Sequence, residues 1–305
     1  MSKKQKNIFK KKNYSLVLFL LPALLFVLVF NYIPMYGVAI AFQNYLPGDP
    51  IISSDAYWVG FDNFERFFND YRFVQLLENT FLLSLFGFLI GFPLPIIVAL
   101  LLNSMRNPKI SKKLQTVFYA PHFISVIVLV GMLHLLFGEY GFVNNFVTSL
   151  GGDRFSYFLE KSAFRSLFIL SGNWQDFGWS AIIYLAALSG VNPTLHEAAV
   201  VDGASRLQRI RHIDFPAIFP TVSILLILSI GNLMGVGFEK VLLMQTGGNI
   251  AVSEVISTYV YKTGLTGFPD FSYATAIGLF NALINVILLI IANTIAKRFS
   301  ENSLW

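Results

Sequence analysis

The polar chemistry of one long apolar stretch is carried by Asn173, Trp174, Asp176, Trp179 and Ser180. Asn173, Asp176 and Ser180 fall at i, i+3 and i+7, on one face of a helix. A carboxylate and an amide exchange hydrogen bonds with hydroxyl groups, and an indole offers a flat apolar face for stacking. An acid turned to lipid costs about 2.5–3.5 kcal/mol at the centre of a span, so Asp176 is expected to face protein or a polar cavity. Two uses of this face stay open: lining a path for a hydroxyl-rich solute, or packing against a partner subunit near the outer interface. Asn232 sits in a second such place, among Gly231, Gly235 and Gly237, where helices approach closely or a path is lined.

Bond-breaking chemistry has no comparable signature. The chain has no Cys, which excludes disulfides, thiol catalysis and Cys-ligated metals. His122 and His134 are twelve apart, not three or four, and no carboxylate cluster accompanies them. They read as packing or interface residues, and no metal site is expected. No convergent Ser/His pair, His/Glu metal motif or carboxylate dyad is present, so the chain is not expected to be an enzyme. No basic stripe interleaves with aromatics, which sets nucleic acid aside as a partner.

The elements that hold these residues are membrane spans. Of 305 residues 55% are hydrophobic and only 13% charged, about half the charge of a soluble domain. The mean hydropathy is +0.63. Six stretches approach or exceed the roughly 20 apolar residues a span requires: about 16–42, 79–102, 117–137, 166–189, 215–236 and 273–296. The first starts like a signal peptide, after Lys3, Lys4, Lys6, Lys10, Lys11 and Lys12, but its apolar run is too long and has no small-residue cleavage site. Pro93 and Pro95 predict a kink in the second span.

Charge orients the set. With the N-terminus in the cytoplasm, 15 of the 22 Lys and Arg fall on the inner side, so both termini are expected there. The outer segments are then 43–75, 138–165 and 238–272. A short amphipathic surface helix is expected over 142–150, and an irregular loop over 243–272. The expected organisation is a basic tail (1–14), a first span with its outer loop (15–75), a core of spans (76–296) and a short tail (297–305).

The inner loop 191–216 is the most informative segment. Pro193-Thr194 can open a helix, Glu197-Ala198-Ala199 continue it, and Gly203 can end it in a left-handed cap. A second short helix from about Ser205 would carry Arg206, and Pro216 marks the expected turn back into the bilayer. Spacing alone is also compatible with an ordinary amphipathic connection.

The pattern Glu197-Ala198-Ala199, Asp202-Gly203-Ala204, Ile213 and Pro216 resembles the EAA loop of binding-protein-dependent ABC importer permeases. The family spacing of three residues before the glycine and nine after it is met, with Phe215 in place of the usual Leu. Pro34-Met35-Tyr36-Gly37, Trp58-Val59-Gly60-Phe61-Asp62-Asn63-Phe64, Tyr119-Ala120-Pro121-His122, Phe271-Ser272-Tyr273-Ala274 and Ser303-Leu304-Trp305 resemble the LplB-type branch of carbohydrate permeases, common in Gram-positive bacteria.

This resemblance implies an all-α membrane protein with six transmembrane helices and the MetI-like fold of a type I ABC importer. It implies a second homologous permease, two cytoplasmic ATPase subunits that bind ATP and Mg²⁺, and an extracellular sugar-binding lipoprotein as partners. An oligosaccharide is the implied cargo. Glu197, Ala198, Ala199, Asp202, Gly203, Arg206 and Pro216 would couple to the ATPase, with Glu197 facing a basic partner residue. The chain has no G-x-x-x-x-G-K-[ST] loop, so nucleotide would bind elsewhere. A secondary transporter or channel working alone is the alternative; such carriers commonly show paired repeats, and none is visible here.

Overall fold

The structure is a computed structural model and describes residues 14–299. The lysines of the N-terminal tail and Ser303-Leu304-Trp305 lie outside the described residues. Among the described residues all regular structure is helical, apart from one bridge between Gln43 and Trp58.

The chain begins with α1 (Tyr14–Val27), which runs on through a π turn (Leu28–Tyr32) and a 3-10 segment (Ile33–Phe42). Every side chain from Val17 to Tyr36 is exposed. A helix that is apolar all round belongs in lipid or against another subunit. Next come α2 (Asp62–Phe68), α3 (Phe73–Gly91) and α4 (Pro93–Asn103). Helices α3 and α4 form one span, which begins six residues before the expected Asn79. Pro93 starts α4 at a position where no N–H is needed.

The expected continuous third span is interrupted. Helix α5 (Pro108–Tyr119) starts at Asn107, whose side chain accepts from the Lys109 and Ile110 N–H groups. A 3-10 turn (Ala120–Phe123) and an extended Ser125 then precede α6 (Val126–Phe137). Pro121 has no N–H to give, Gln175 donates to the freed Ile124 carbonyl at 2.6 Å, and the Ser125 hydroxyl caps α6. Helix α7 (Phe142–Ser149) is the expected short helix, tied by Asn144, which donates to Gly138 and Phe155 carbonyls.

Helix α8 (Lys161–Ser189) has 29 residues, about 43 Å at 1.5 Å per residue. Five other stretches are long and apolar enough to cross a membrane: Val17–Phe42, Phe73–Asn103, Val126–Ser149, Arg206–Gly231 and Phe271–Arg298. Helix α8 matches them in length, but its polar face lowers its hydropathy.

The inner loop forms α9 (Pro193–Val201) and α10 (Arg206–Arg209), then a π turn (Ile210–Asp214) and α11 (Phe215–Gly231). The expected turn at Pro216 does not occur, because the helical run is continuous from Arg206. The π turn absorbs the proline instead: the Phe215 N–H donates to the Ile210 carbonyl, five residues back.

The expected irregular outer loop is largely helical as well. Helices α12 (Phe238–Met244), α13 (Ile250–Ser253) and α14 (Ile256–Leu265) lead into α15 (Phe271–Phe299). Asn249 organises the glycine pair before it: its amide donates to the Phe158 and Met244 carbonyls, and its oxygen accepts from the Thr246 N–H and the Ser253 hydroxyl.

Four apolar clusters hold the bundle, the smallest packing Ala41 and Phe64 against Ala276 of α15. One joins α3, α6, α8, α12 and α13 through Leu83, Leu133, Phe164, Val241 and Val252. A second packs Ala99, Ala181, Tyr184, Leu188 and Ile218 between α4, α8 and α11. A third buries Phe67, Leu76, Tyr259, Tyr273 and Ile277 on the outer side of α15. Lipid tails are as apolar as these side chains, so between the spans it is close van der Waals packing within the clusters, rather than burial from water, that fixes the arrangement.

Candidate functional site

Helix α8 is positioned by a close approach to α5: a Cβ at Gly178 would overlap the Phe118 carbonyl oxygen. This seats the polar face of α8 beside the broken stretch 120–125. There Asp176 Oδ1 lies 3.0 Å from His122 Nδ1, and the His122 ring stacks on Trp179 with centroids 4.6 Å apart. The Asp176 side chain remains 60% exposed and Trp179 44% exposed, so the cluster is open on one side. Trp179 and Ser180 also line a cavity of about 640 Å³ with Gly87, Phe92, Tyr184 and Leu225.

The other residues of that face have different partners. Asn173 is turned onto α3, where a Cβ at Gly91 would overlap its Oδ1, and its buried Nδ2 has no hydrogen-bond partner among the described residues. Trp174 borders an apolar groove of about 520 Å³ with Leu133, Phe137 and Leu167. Asn232 ends α11 and is exposed. Gly231 is a packing residue, since a Cβ there would come 2.5 Å from Leu289 Cδ1 of α15.

The bend between α9 and α10 is built by local capping. Asn192 accepts from the Thr194 N–H, and Pro193 follows at the first helical position. At the other end of α9, Gly203 has φ +78°, its N–H donates to Val200, and the Ala204 N–H donates to Ala199. These two bonds make the six-to-one and five-to-two closure of a Schellman cap. Ser205 and Gln208 cap α10 reciprocally. Glu197, Ala198, Asp202, Gly203, Arg206 and Pro216 are exposed, Ala199 is half-buried, and α9 buries no side chain.

One contact ties α9 to the bundle. His196 Nε2 lies 3.3 Å from Oδ1 of the buried Asp214, which also accepts from Asn103 at the end of α4. Neither His196 nor Asp214 stands out in the sequence. His122, expected as a packing or interface residue, is instead paired with Asp176 across two helices. For Asp214 the sequence signal is only an ionisable residue at the start of an apolar run.

A second polar group lies at the junction of α2 and α3 with α14 and α15. Asp70 accepts from Tyr259 Oη at 2.7 Å, Tyr273 Oη at 3.1 Å and the Arg72 N–H at 2.9 Å. Burial pushes this carboxyl up, but the hydrogen bonds from Arg72 and both tyrosines outweigh it and hold the pKa at about 2. Arg66 adds an ion pair with Asp270 at 2.7 Å and lies over the Tyr273 ring.

Residues 91–301 match the family model described as the binding-protein-dependent transport system inner membrane component. Among curated proteins, the polygalacturonan/rhamnogalacturonan transport system permease protein YteP of Bacillus subtilis is 42% identical over 95% of this chain and 90% of its own. Protein LplB of the same organism is 41% identical over 97% and 92%. Among solved structures, a chain of a bacterial alginate ABC transporter, in complex with a periplasmic protein that holds an alginate pentasaccharide, superposes with a TM-score of 0.86. It is 35% identical and matches 98% of this chain and all of that one.

Proposed function

Because the chain belongs to the binding-protein-dependent transport system inner membrane component family, we propose that it moves an oligosaccharide from an extracellular sugar-binding lipoprotein into the cytoplasm. It is a multi-pass permease of an ABC importer with the MetI-like fold and six transmembrane helices. The proposed assembly adds a second homologous permease and two cytoplasmic ATPase subunits, which bind ATP and Mg²⁺. The sugar reading draws on the relatives, a polygalacturonan/rhamnogalacturonan permease and a chain of an alginate transporter. The Lys/Arg bias supports cytoplasmic termini, and the Bacillus relatives support a Gram-positive cell membrane.

The observation that carries the coupling role is α9 with its Schellman cap, a helix fully formed yet without a buried side chain. Such a helix is stiff along its length and has a face free for another protein's groove. Glu197 is the charged anchor, Ala198 and Ala199 keep the ridge narrow, and Gly203 with Asp202 sets the bend. Arg206 and Pro216 carry motion through the π turn into α11. Along the path, Asp176, Trp179 and Asn232 offer exposed polar and aromatic surface to a sugar, while Asn173 and Trp174 shape its walls against α3 and α6.

The test is ATP hydrolysis by the reconstituted complex, stimulated by the binding protein. Glu197→Arg opposes a basic partner, and like charges across an interface cost several kcal/mol. The expected result is loss of stimulated hydrolysis by about tenfold or more, with recovery of the permease pair unchanged. Normal stimulation with ATPase bound would remove the coupling role from this loop.

A further inference from the structure

Lys240 lies on α12, one turn of α8 from the group formed by Asp176, His122 and Trp179, and is only 8% exposed. Its ammonium donates to the Phe168 carbonyl at 2.8 Å and sits 4.8 Å from the centroid of the Phe168 ring. A Cβ at Gly172 would come 3.0 Å from Nζ, so glycine at that position makes the room the ammonium occupies. No Asp or Glu pairs with Lys240 among the described residues, and five ion pairs are formed elsewhere. The acid whose charge reaches it is Asp176, which is engaged with His122.

An ammonium carries three donors, and one is used. A buried cation without a counterion is costly, and inside a membrane protein it marks a site where charge is handled. Gly172 and Asp176 are four residues apart, so Lys240 sits one turn from the Asp176 group on the same face of α8. From Gly172 to Trp179 is about 10 Å along the helix axis, a distance that one extended oligosaccharide covers. A ring stacked on the open face of Trp179 would bring a neighbouring unit level with Lys240.

We infer that Lys240 is a specificity residue that receives a carboxylate of the cargo, so that the preferred substrate is an acidic oligosaccharide built from sugar acids. This rests on the oligosaccharide reading above and adds charge selection to it. The four-carbon stem of lysine lets the ammonium leave Phe168 and follow the carboxylate. Asp176, held by His122, keeps the surrounding field from binding an anion so tightly that it cannot leave.

The experiment uses the whole complex in vesicles with its binding protein and ATPases. Uptake is measured for short galacturonate oligomers and for the same oligomers as neutral methyl esters. Lys240→Met is expected to lower the ratio of acid to ester uptake by about tenfold or more, the scale of one charge-assisted hydrogen bond, and Lys240→Arg to restore it. An unchanged ratio in Lys240→Met, with both substrates lowered together, would show that Lys240 only fastens α12 to α8. Failure of Lys240→Arg alongside Lys240→Met overturns the charge assignment in the same way. A wild-type complex that imports only neutral oligosaccharides also overturns it, leaving the proposed function intact. One that imports no oligosaccharide of either kind overturns that function and this inference with it.

Discussion

Asp70, between α2 and α3, and Glu197, in the middle of α9, are both acids outside the apolar clusters, and they differ in what surrounds them. Asp70 accepts hydrogen bonds from residues 189 and 203 positions away in the chain, Tyr259 and Tyr273, and neighbours the fully buried Phe67. Glu197 projects from a helix held by its own caps and by the His196 contact. The outer unit is therefore complete within this chain, because its polar groups find distant partners and its aromatics find a core. The inner bend is preformed but unspent: its backbone is satisfied locally, and its side chains have no apolar surface to cover. A region that must fit another protein is best made rigid by short-range bonds, which leave its outward face free.

The largest expected effect on stability lies in the outer unit. Asp70→Asn removes the charge that Arg72 and the two tyrosines surround, and should lower unfolding stability by about 1.5–3 kcal/mol at neutral pH. Thermal unfolding in detergent checks this. Because the folded carboxyl is held at about 2, below its usual 3.8, its contribution is present above pH 3.8 and is lost as pH falls through about 2. The gap between wild type and Asp70→Asn should close over that window, and a gap that stayed open would mean that the charge is not what matters.

A smaller and differently placed effect is expected at the bend. Gly203→Val puts a β-branched residue at φ +78°, which costs about 1–2 kcal/mol and opens the Schellman closure. Global unfolding should hardly shift, because α9 buries nothing, whereas coupled ATP hydrolysis should fall severalfold. If unfolding shifts as much as in Asp70→Asn, the contrast between the regions is wrong. The smallest effect is expected for Asn192→Ala, loss of one N-cap worth about 1 kcal/mol. Hydrogen exchange should quicken at the first amides of α9, Thr194 and Leu195, and not in α14.

Much of this architecture was legible in the residues. Composition and apolar runs gave the spans, and Pro193-Thr194 followed by Gly203 gave α9 with its cap, though not the Asn192 side chain that starts it. Three features escaped for physical reasons. The break at 120–125 depends on Gln175 catching the Ile124 carbonyl, a contact between segments fifty residues apart. The helices over 238–265 look irregular because their glycines are ordered by Asn249, whose partners come partly from Phe158. The continuous run through Pro216 hides because hydropathy does not distinguish an α turn from a π turn. Of the candidate path, residue types gave Asp176 and Trp179. His122 and Lys240 needed coordinates, since each acquires its meaning only from a neighbour on another helix.

The π turn at Ile210–Asp214 also bears on how the segment tolerates changes in length. A turn closed five residues back holds one residue more than an α turn, while the helix on either side keeps its own phase. Deleting one residue inside it lets the turn relax to the ordinary closure with α10 and α11 still facing the same way. A deletion in the middle of α11 has no such slack and would rotate everything beyond it by about 100°. The junction between the bend and the span is thus a place where an insertion of one residue can be carried, or a deletion of one absorbed, without turning either flank.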